Sequence, residues 1–166
     1  MAETSSIQMG SAGTTVPPIL RTVTVGRPVK EAFRIFTEEI GSWWPLDLQS
    51  RALSERESEG VKAETVVIEG RMGGRIYEVM SDGTESPWGE ILVWEPPHRL
   101  VLAWKPHPRP TPPTEVEVRF TAEGERTRVD LEHRGWERLG DAAVEARGGY
   151  ERGWPAVLER FSRVAS

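Results

Sequence analysis

Three kinds of residue in this chain have types and positions suited to chemistry or recognition. His133 lies in TRVDLEHR, where Val129, Leu131 and His133 share one side of an alternating strand pattern and Arg128, Asp130, Glu132 and Arg134 share the other. An imidazole on the apolar side either titrates near neutrality and orients or protonates a ligand, or is a structural group bonded to Trp136 or a backbone carbonyl. Glu78 and Glu90 share parity with Ile76 and Leu92. A carboxyl facing an apolar interior has a raised pKa and suits acid–base work. The opposite phase, with Arg75, Tyr77 and Val79 inward, fits the same residues, because a one-residue slip exchanges the two faces of a strand. The third kind is tryptophan, with seven in 166 residues. An indole needs packing for its ring and a partner for its N–H. So many point either to a pocket for an aromatic or lipid-like ligand or to a core that the rings fill.

Other chemistries are excluded or weakly encoded. Cysteine is absent, which removes disulfides, thiolate nucleophiles and cysteine zinc sites. His98, His107 and His133 show no H-x-x-x-H or E-x-x-H spacing, and no G-x-S-x-G frame occurs, so neither a metal nor a cofactor is expected. The glycines of GRMGGR (Gly70 to Arg75) lack the strand-then-helix context of a phosphate loop. A net charge of −5 argues against a broad nucleic-acid face. No apolar run approaches the ~20 residues of a membrane span. Glu3 stands where a signal peptide would be basic and no apolar stretch follows it, so a cytoplasmic location is the expectation.

The elements that must position these residues follow from periodicity. Residues 1–18 (MAETSSIQMGSAGTTVPP) are rich in Ser, Thr, Gly and Ala and read as a disordered tail before a single domain over 19–166. ILRTVTV (Ile19 to Val25) is a strand. Val29, Ala32, Phe33 and Phe36 form a helical stripe behind Pro28, and a second short helix spans Thr37 to Trp43 before Pro45. Residues 46–63 form a polar loop containing SERESE, placed to cover a cavity mouth. Six strand patterns follow: Thr65 to Glu69, Arg75 to Met80, Trp88 to Trp94, Arg99 to Trp104, Val116 to Thr121 and Thr127 to His133. Short turns such as Asp82-Gly83 and Glu123-Gly124 make this an antiparallel meander. The proline-rich stretch Lys105 to Thr114 is a stiff connector. Asp141 reads as the N-cap of a long terminal helix whose stripe is Ala143, Tyr150, Trp154, Val157, Phe161 and Val164, with a kink at Pro155.

Strand, two short helices, six strands and a long helix make an α+β chain. Three segments resemble a known family: GRIYEVMSDGTESPWGEILVWEPPHRLVLAW (Gly74 to Trp104), LEHRGWERLG (Leu131 to Gly140) and GYERGWPAVLERF (Gly149 to Phe161). They are similar to the START-like (SRPBCC) superfamily, and within it to bacterial homologues of the C-terminal domain of the heat-shock-protein ATPase activator. The resemblance implies a helix-grip fold, a curved antiparallel sheet around the C-terminal helix with a hydrophobic cavity between them. Relatives bind lipids or small hydrophobic ligands, act as aromatases or cyclases, or serve as co-chaperones, so fold alone does not assign function.

The expectation is therefore non-covalent binding of a small hydrophobic ligand. Its lining is Phe36, Trp43, Trp44, Ile76, Glu78, Trp88, Glu90, Leu102, Trp104, Val118, Phe120, Leu131, His133, Tyr150, Trp154 and Val157. Two alternatives stay open: a cyclase-type enzyme using His133 with an inward carboxylate, and an interaction module with a chaperone partner. A homodimer is also open.

Overall fold

The computed structural model describes residues 16–47, 60–106 and 111–166. Strand β1 (Ile19–Val25) is followed by helices α1 (Val29–Glu38) and α2 (Ile40–Trp43). The meander β2 (Ala63–Ile68), β3 (Arg75–Met80), β4 (Glu85–Glu95), β5 (Arg99–Trp104), β6 (Thr114–Glu123) and β7 (Arg126–Arg134) comes next. A 3-10 segment (Trp136–Ala142) leads into the long helix α3 (Ala143–Val164). All neighbouring strands pair antiparallel in the order β1-β7-β6-β5-β4-β3-β2. The seven-stranded sheet curls into a half-barrel around α3, which is the α+β helix-grip arrangement expected from the element order. The tail 1–15, the SERESE loop and residues 107–110 of the proline tract, His107 included, lie outside the described residues.

Period-two patterning makes the concave face. Thr127, Val129, Leu131 and His133 of β7 are buried, as are Thr114, Val116, Val118 and Phe120 of β6. Leu100, Leu102 and Trp104 of β5 and Ile76, Glu78 and Met80 of β3 complete it. That settles the phase of β3, with Glu78 inward and Tyr77 on the opposite side. The convex face carries charge: Glu117 takes hydrogen bonds from Arg99 and Arg134, with Arg119 3.4 Å away. Burial alone would raise the Glu117 carboxyl, but these guanidinium groups outweigh it and hold the pKa below the usual range.

Strand β4 departs from simple alternation. Its register against β3 shifts between Pro87 and Gly89, and against β5 between Ile91 and Val93. Each bulge inserts a residue and reverses parity. Ser86 and Trp88 are thus buried, Ile91 is the next buried position, and Glu90 and Leu92 are exposed. The expected grouping of Trp88 with Glu90 is corrected accordingly: Glu90 is on the outer surface. Gly89 belongs to the first bulge, and a Cβ there would lie 1.8 Å from the Ala103 carbonyl oxygen of β5. Only glycine permits so close a pairing.

The helices follow their patterns with two corrections. Thr37 and Glu38 belong to α1, so the second short helix is only Ile40–Trp43. Asp141 lies inside the 3-10 segment and caps nothing; α3 begins after Ala142, which makes no side-chain cap. Helix α3 continues past Pro155. The ring leaves the Glu151 carbonyl, four residues back, without its helical N–H. The Arg21 guanidinium of β1 reaches that oxygen at 3.4 Å, so the strand supplies what the helix lacks. Arg147 donates to the Pro17 and Pro18 carbonyls and ties the start of β1 to the same helix. Among the described residues, no helix is long and apolar enough to cross a membrane.

Candidate functional site

The interior between sheet and helices contains two joined aromatic layers. In the first, Phe36 of α1 meets Trp43, Phe120 and Phe161 with ring centroids 5.1, 5.6 and 5.1 Å away. Phe33 adds edge contacts to Phe120 and Trp94. The Trp43 N–H donates to the Ile35 carbonyl at 3.0 Å, which anchors its ring to α1. Val118 of β6 and Val157 of α3 are buried in the same core.

The second layer is made of indoles. Trp44, directly after α2, lies 5.0 Å from Trp88 of β4, 6.1 Å from Trp104 of β5 and 6.2 Å from Trp154 of α3. Trp88 and Trp104 are 5.6 Å apart, and Trp104 and Trp154 5.7 Å. Three elements and the residue capping α2 therefore each supply one ring to a single quartet, Trp44 and Trp104 touching all the others, in the tilted and edge-on geometries that aromatic quadrupoles favour. Ile76, Leu102 and Leu131 are buried beside it in the same core, and Glu78, fully buried, shares the inner face of the sheet with Ser86, its cross-strand neighbour.

His133 sits at one side of this quartet with none of its surface exposed. The Trp154 indole donates to Nδ1 at 3.0 Å, and the Thr114 hydroxyl lies 2.8 Å from Nε2. An indole N–H can only donate, so Nδ1 is the acceptor and the proton rests on Nε2. Nε2–H then donates to Thr114 Oγ, whose own hydroxyl points to the Trp104 carbonyl at 3.3 Å. Trp136 packs against the imidazole at 4.2 Å, tilted by 38°, and donates to the His133 carbonyl at 2.9 Å. Gly135, at φ 89°, makes the turn that brings it there. Tyr150 packs edge-on against the imidazole at 4.8 Å and lies 5.7 Å from Trp136. Burial pulls the His133 pKa down to about 3 and pushes the Tyr150 phenol up to about 12. At neutral pH both are uncharged, and the imidazole is a positioning group with both nitrogens engaged.

Two polar atoms of the quartet are different. The indole N–H groups of Trp88 and Trp104 are buried and have no hydrogen-bond partner. The Tyr150 hydroxyl is near enough to Trp104 to feel its N–H, without meeting hydrogen-bond geometry. Separately, an open hollow of about 340 Å³ lies between α1 and the β4–β5 turn, lined by Phe33, Trp94, Pro96 and Pro97 with Lys30, Arg34 and Glu38 at its edges.

Every residue expected in the lining except Glu90 is thus in or against the interior. Thr114 and Ser86 were not expected there, whereas Phe33 was expected on the apolar stripe of its helix and Trp136 as a partner of His133. Thr114 was within reach of sequence reasoning, since the alternation Val116, Val118, Phe120 extends back to it. Among the described residues, no group of three or more His, Asp or Glu side chains is arranged to hold a metal.

A curled sheet gripping a helix over an aromatic interior defines a START-like helix-grip domain. The chain belongs to the activator of Hsp90 ATPase homolog 1-like protein family, whose sequence profile matches residues 27–166. Two solved structures are similar at 31% identity. One is described as an anthrahydroquino-gamma-pyrone synthase, Txn09, matched over 91% of this chain and 98% of its own with a TM-score of 0.56. The other is CalC from Micromonospora echinospora, described as a self-sacrificing resistance protein, matched over 90% of this chain and 94% of its own with a TM-score of 0.66. Protein Ms6760 from Mycobacterium smegmatis shares the fold at 18% identity, covering 90% of each chain with a TM-score of 0.62. No curated protein matches the sequence.

Proposed function

We propose that this domain binds a small hydrophobic molecule non-covalently, seated against the indole quartet beneath α3. The observation that carries the reading is the convergence of Trp44, Trp88, Trp104 and Trp154, from three elements and the cap of α2, on one place. Each indole brings about 150–250 Å² of surface, and flat aromatic partners gain from edge and offset stacking beyond simple burial. The neutral His133–Thr114–Trp154 chain fixes two sides of the seat without adding charge. The relatives at 31% identity, a pyrone synthase and a resistance protein by description, are compatible with a ligand of this kind. Tryptophan fluorescence, titrated with fatty acids, polycyclic aromatics and polyketides, tests it. Saturable quenching at one ligand per chain is the expected result, and no saturable response from any class by folded protein overturns it.

The synthase relative favours a second reading, in which the same seat hosts a cyclisation. His133 is poorly suited to be its base, with both nitrogens bonded and its pKa far below neutrality. The fully buried carboxyl of Glu78 is the group to test. On this reading Glu78→Gln abolishes turnover while leaving ligand affinity within about threefold. Equal loss of both assigns Glu78 to binding or folding alone.

A further inference from the structure

We infer that the indole N–H groups of Trp88 and Trp104 are the specificity-determining donors of the site, selecting a neutral polycyclic aromatic with ring carbonyl oxygens. This deepens the binding reading and rests on it. Trp88 and Trp104 are 2% and 5% exposed, yet the N–H of each lacks a partner. Buried donors in native proteins are nearly always paired, so a donor that no protein group satisfies calls for an acceptor from outside the chain, a water or a ligand oxygen. The contrast within the same chain is instructive: Trp43, Trp136 and Trp154 all give their N–H to protein acceptors. The two spare donors belong to rings that touch each other, one on β4 and one on β5, and the Tyr150 hydroxyl stands beside the second.

The surroundings define the ligand's chemistry. An acceptor oxygen is required, because indole nitrogens only donate. The acceptor is uncharged. Among the described residues no Lys or Arg is buried, and the ionisable groups on the inner face are the carboxyl of Glu78 and a neutral His133. A carboxylate taken there would have no counter-charge, which is prohibitive in an apolar interior. The scaffold is flat and aromatic because the partners are indole faces and edges on several sides. A ring ketone or quinone meets all three demands; a fatty acid fails the second and third, and a plain aromatic hydrocarbon the first.

The test compares 9,10-anthraquinone with anthracene, which share three fused rings and differ in the two carbonyl oxygens, and includes dodecanoate as a third probe. Equilibrium dialysis gives each affinity. Wild type is expected to hold anthraquinone at least tenfold more tightly than anthracene. In Trp88→Phe and Trp104→Phe that ratio falls toward one, with anthracene binding changed far less than anthraquinone binding. Because phenylalanine also loosens packing, β-(3-benzothienyl)alanine at position 88 or 104 gives the cleaner comparison, keeping the ring size and removing only the N–H. It too should lower the ratio. Equal wild-type affinities for the two compounds, or a ratio unmoved in every variant, overturns the inference while the binding site stands. Dodecanoate alone binding has the same meaning. If none of the probes binds folded protein, the binding reading falls and the inference falls with it.

Discussion

Because the Trp154 indole can only donate, its bond to Nδ1 fixes the tautomer of His133, and Thr114 completes the arrangement on Nε2. Protonating this imidazole would break the Trp154 bond and charge a site closed to water. The folded-state pKa is accordingly about 3 against an ordinary 6.5. Between those values the unfolded chain binds a proton that the folded chain refuses. The stability this contributes is complete above 6.5 and drains as pH falls toward 3, at about 1.4 kcal/mol per pH unit. Urea unfolding should show a stability that begins to fall near pH 7 and approaches that slope by pH 5, and long-range ¹H–¹⁵N spectra should keep the Nε2–H tautomer down to pH 5. A His133 that titrates near 6.5 in folded protein would contradict the geometry. Thr114→Val removes the acceptor and leaves a buried donor, which costs about 1–3 kcal/mol in urea unfolding; Thr114→Ser should recover most of it. The inward side of His133 was readable from Val129 and Leu131. Its partners were not, because they stand 19 and 21 residues away on other elements and no local pattern links them.

At the scale of elements, β4 shows where periodicity misleads. An unbroken alternation puts Trp88, Glu90, Leu92 and Trp94 on one face, and two bulges redistribute them. The only local sign was Gly89, whose reason is visible in space: the Ala103 carbonyl occupies the position of its side chain. Gly89→Ala must push β5 away from β4 and is expected to destabilise by about 2–4 kcal/mol, a fall readable in thermal unfolding. A melting temperature within a degree of wild type would contradict the register. Elsewhere the pattern sufficed. The alternation in β5, β6 and β7 has no inserted residue, and their inner positions follow directly from Leu100, Val116 and Val129. Helix α3 was legible as a stripe, whereas the partner of the Glu151 carbonyl that Pro155 leaves without its helical N–H is Arg21, from a strand more than a hundred residues earlier.

For the whole molecule, element order and the family's segments carried the architecture, since a meander followed by one long helix closes in few ways. The interior was harder to foresee. Seven tryptophans announced an aromatic core, but which indoles give away their N–H and which retain it depends on three-dimensional pairing: Trp43, Trp136 and Trp154 are anchored, Trp88 and Trp104 are not. A second aromatic surface, at Trp94 by the hollow beside α1, gives the account a specific rival as the seat of an apolar ligand. The two are separable in one spectrum, since each indole N–H gives its own ¹H–¹⁵N cross-peak. On titration with 9,10-anthraquinone, the Trp88 and Trp104 indole peaks should shift saturably and together, while that of Trp94 stays in place. Shifts confined to Trp94, with Trp88 and Trp104 unmoved, would contradict the claim that the quartet beneath α3 is the ligand's seat.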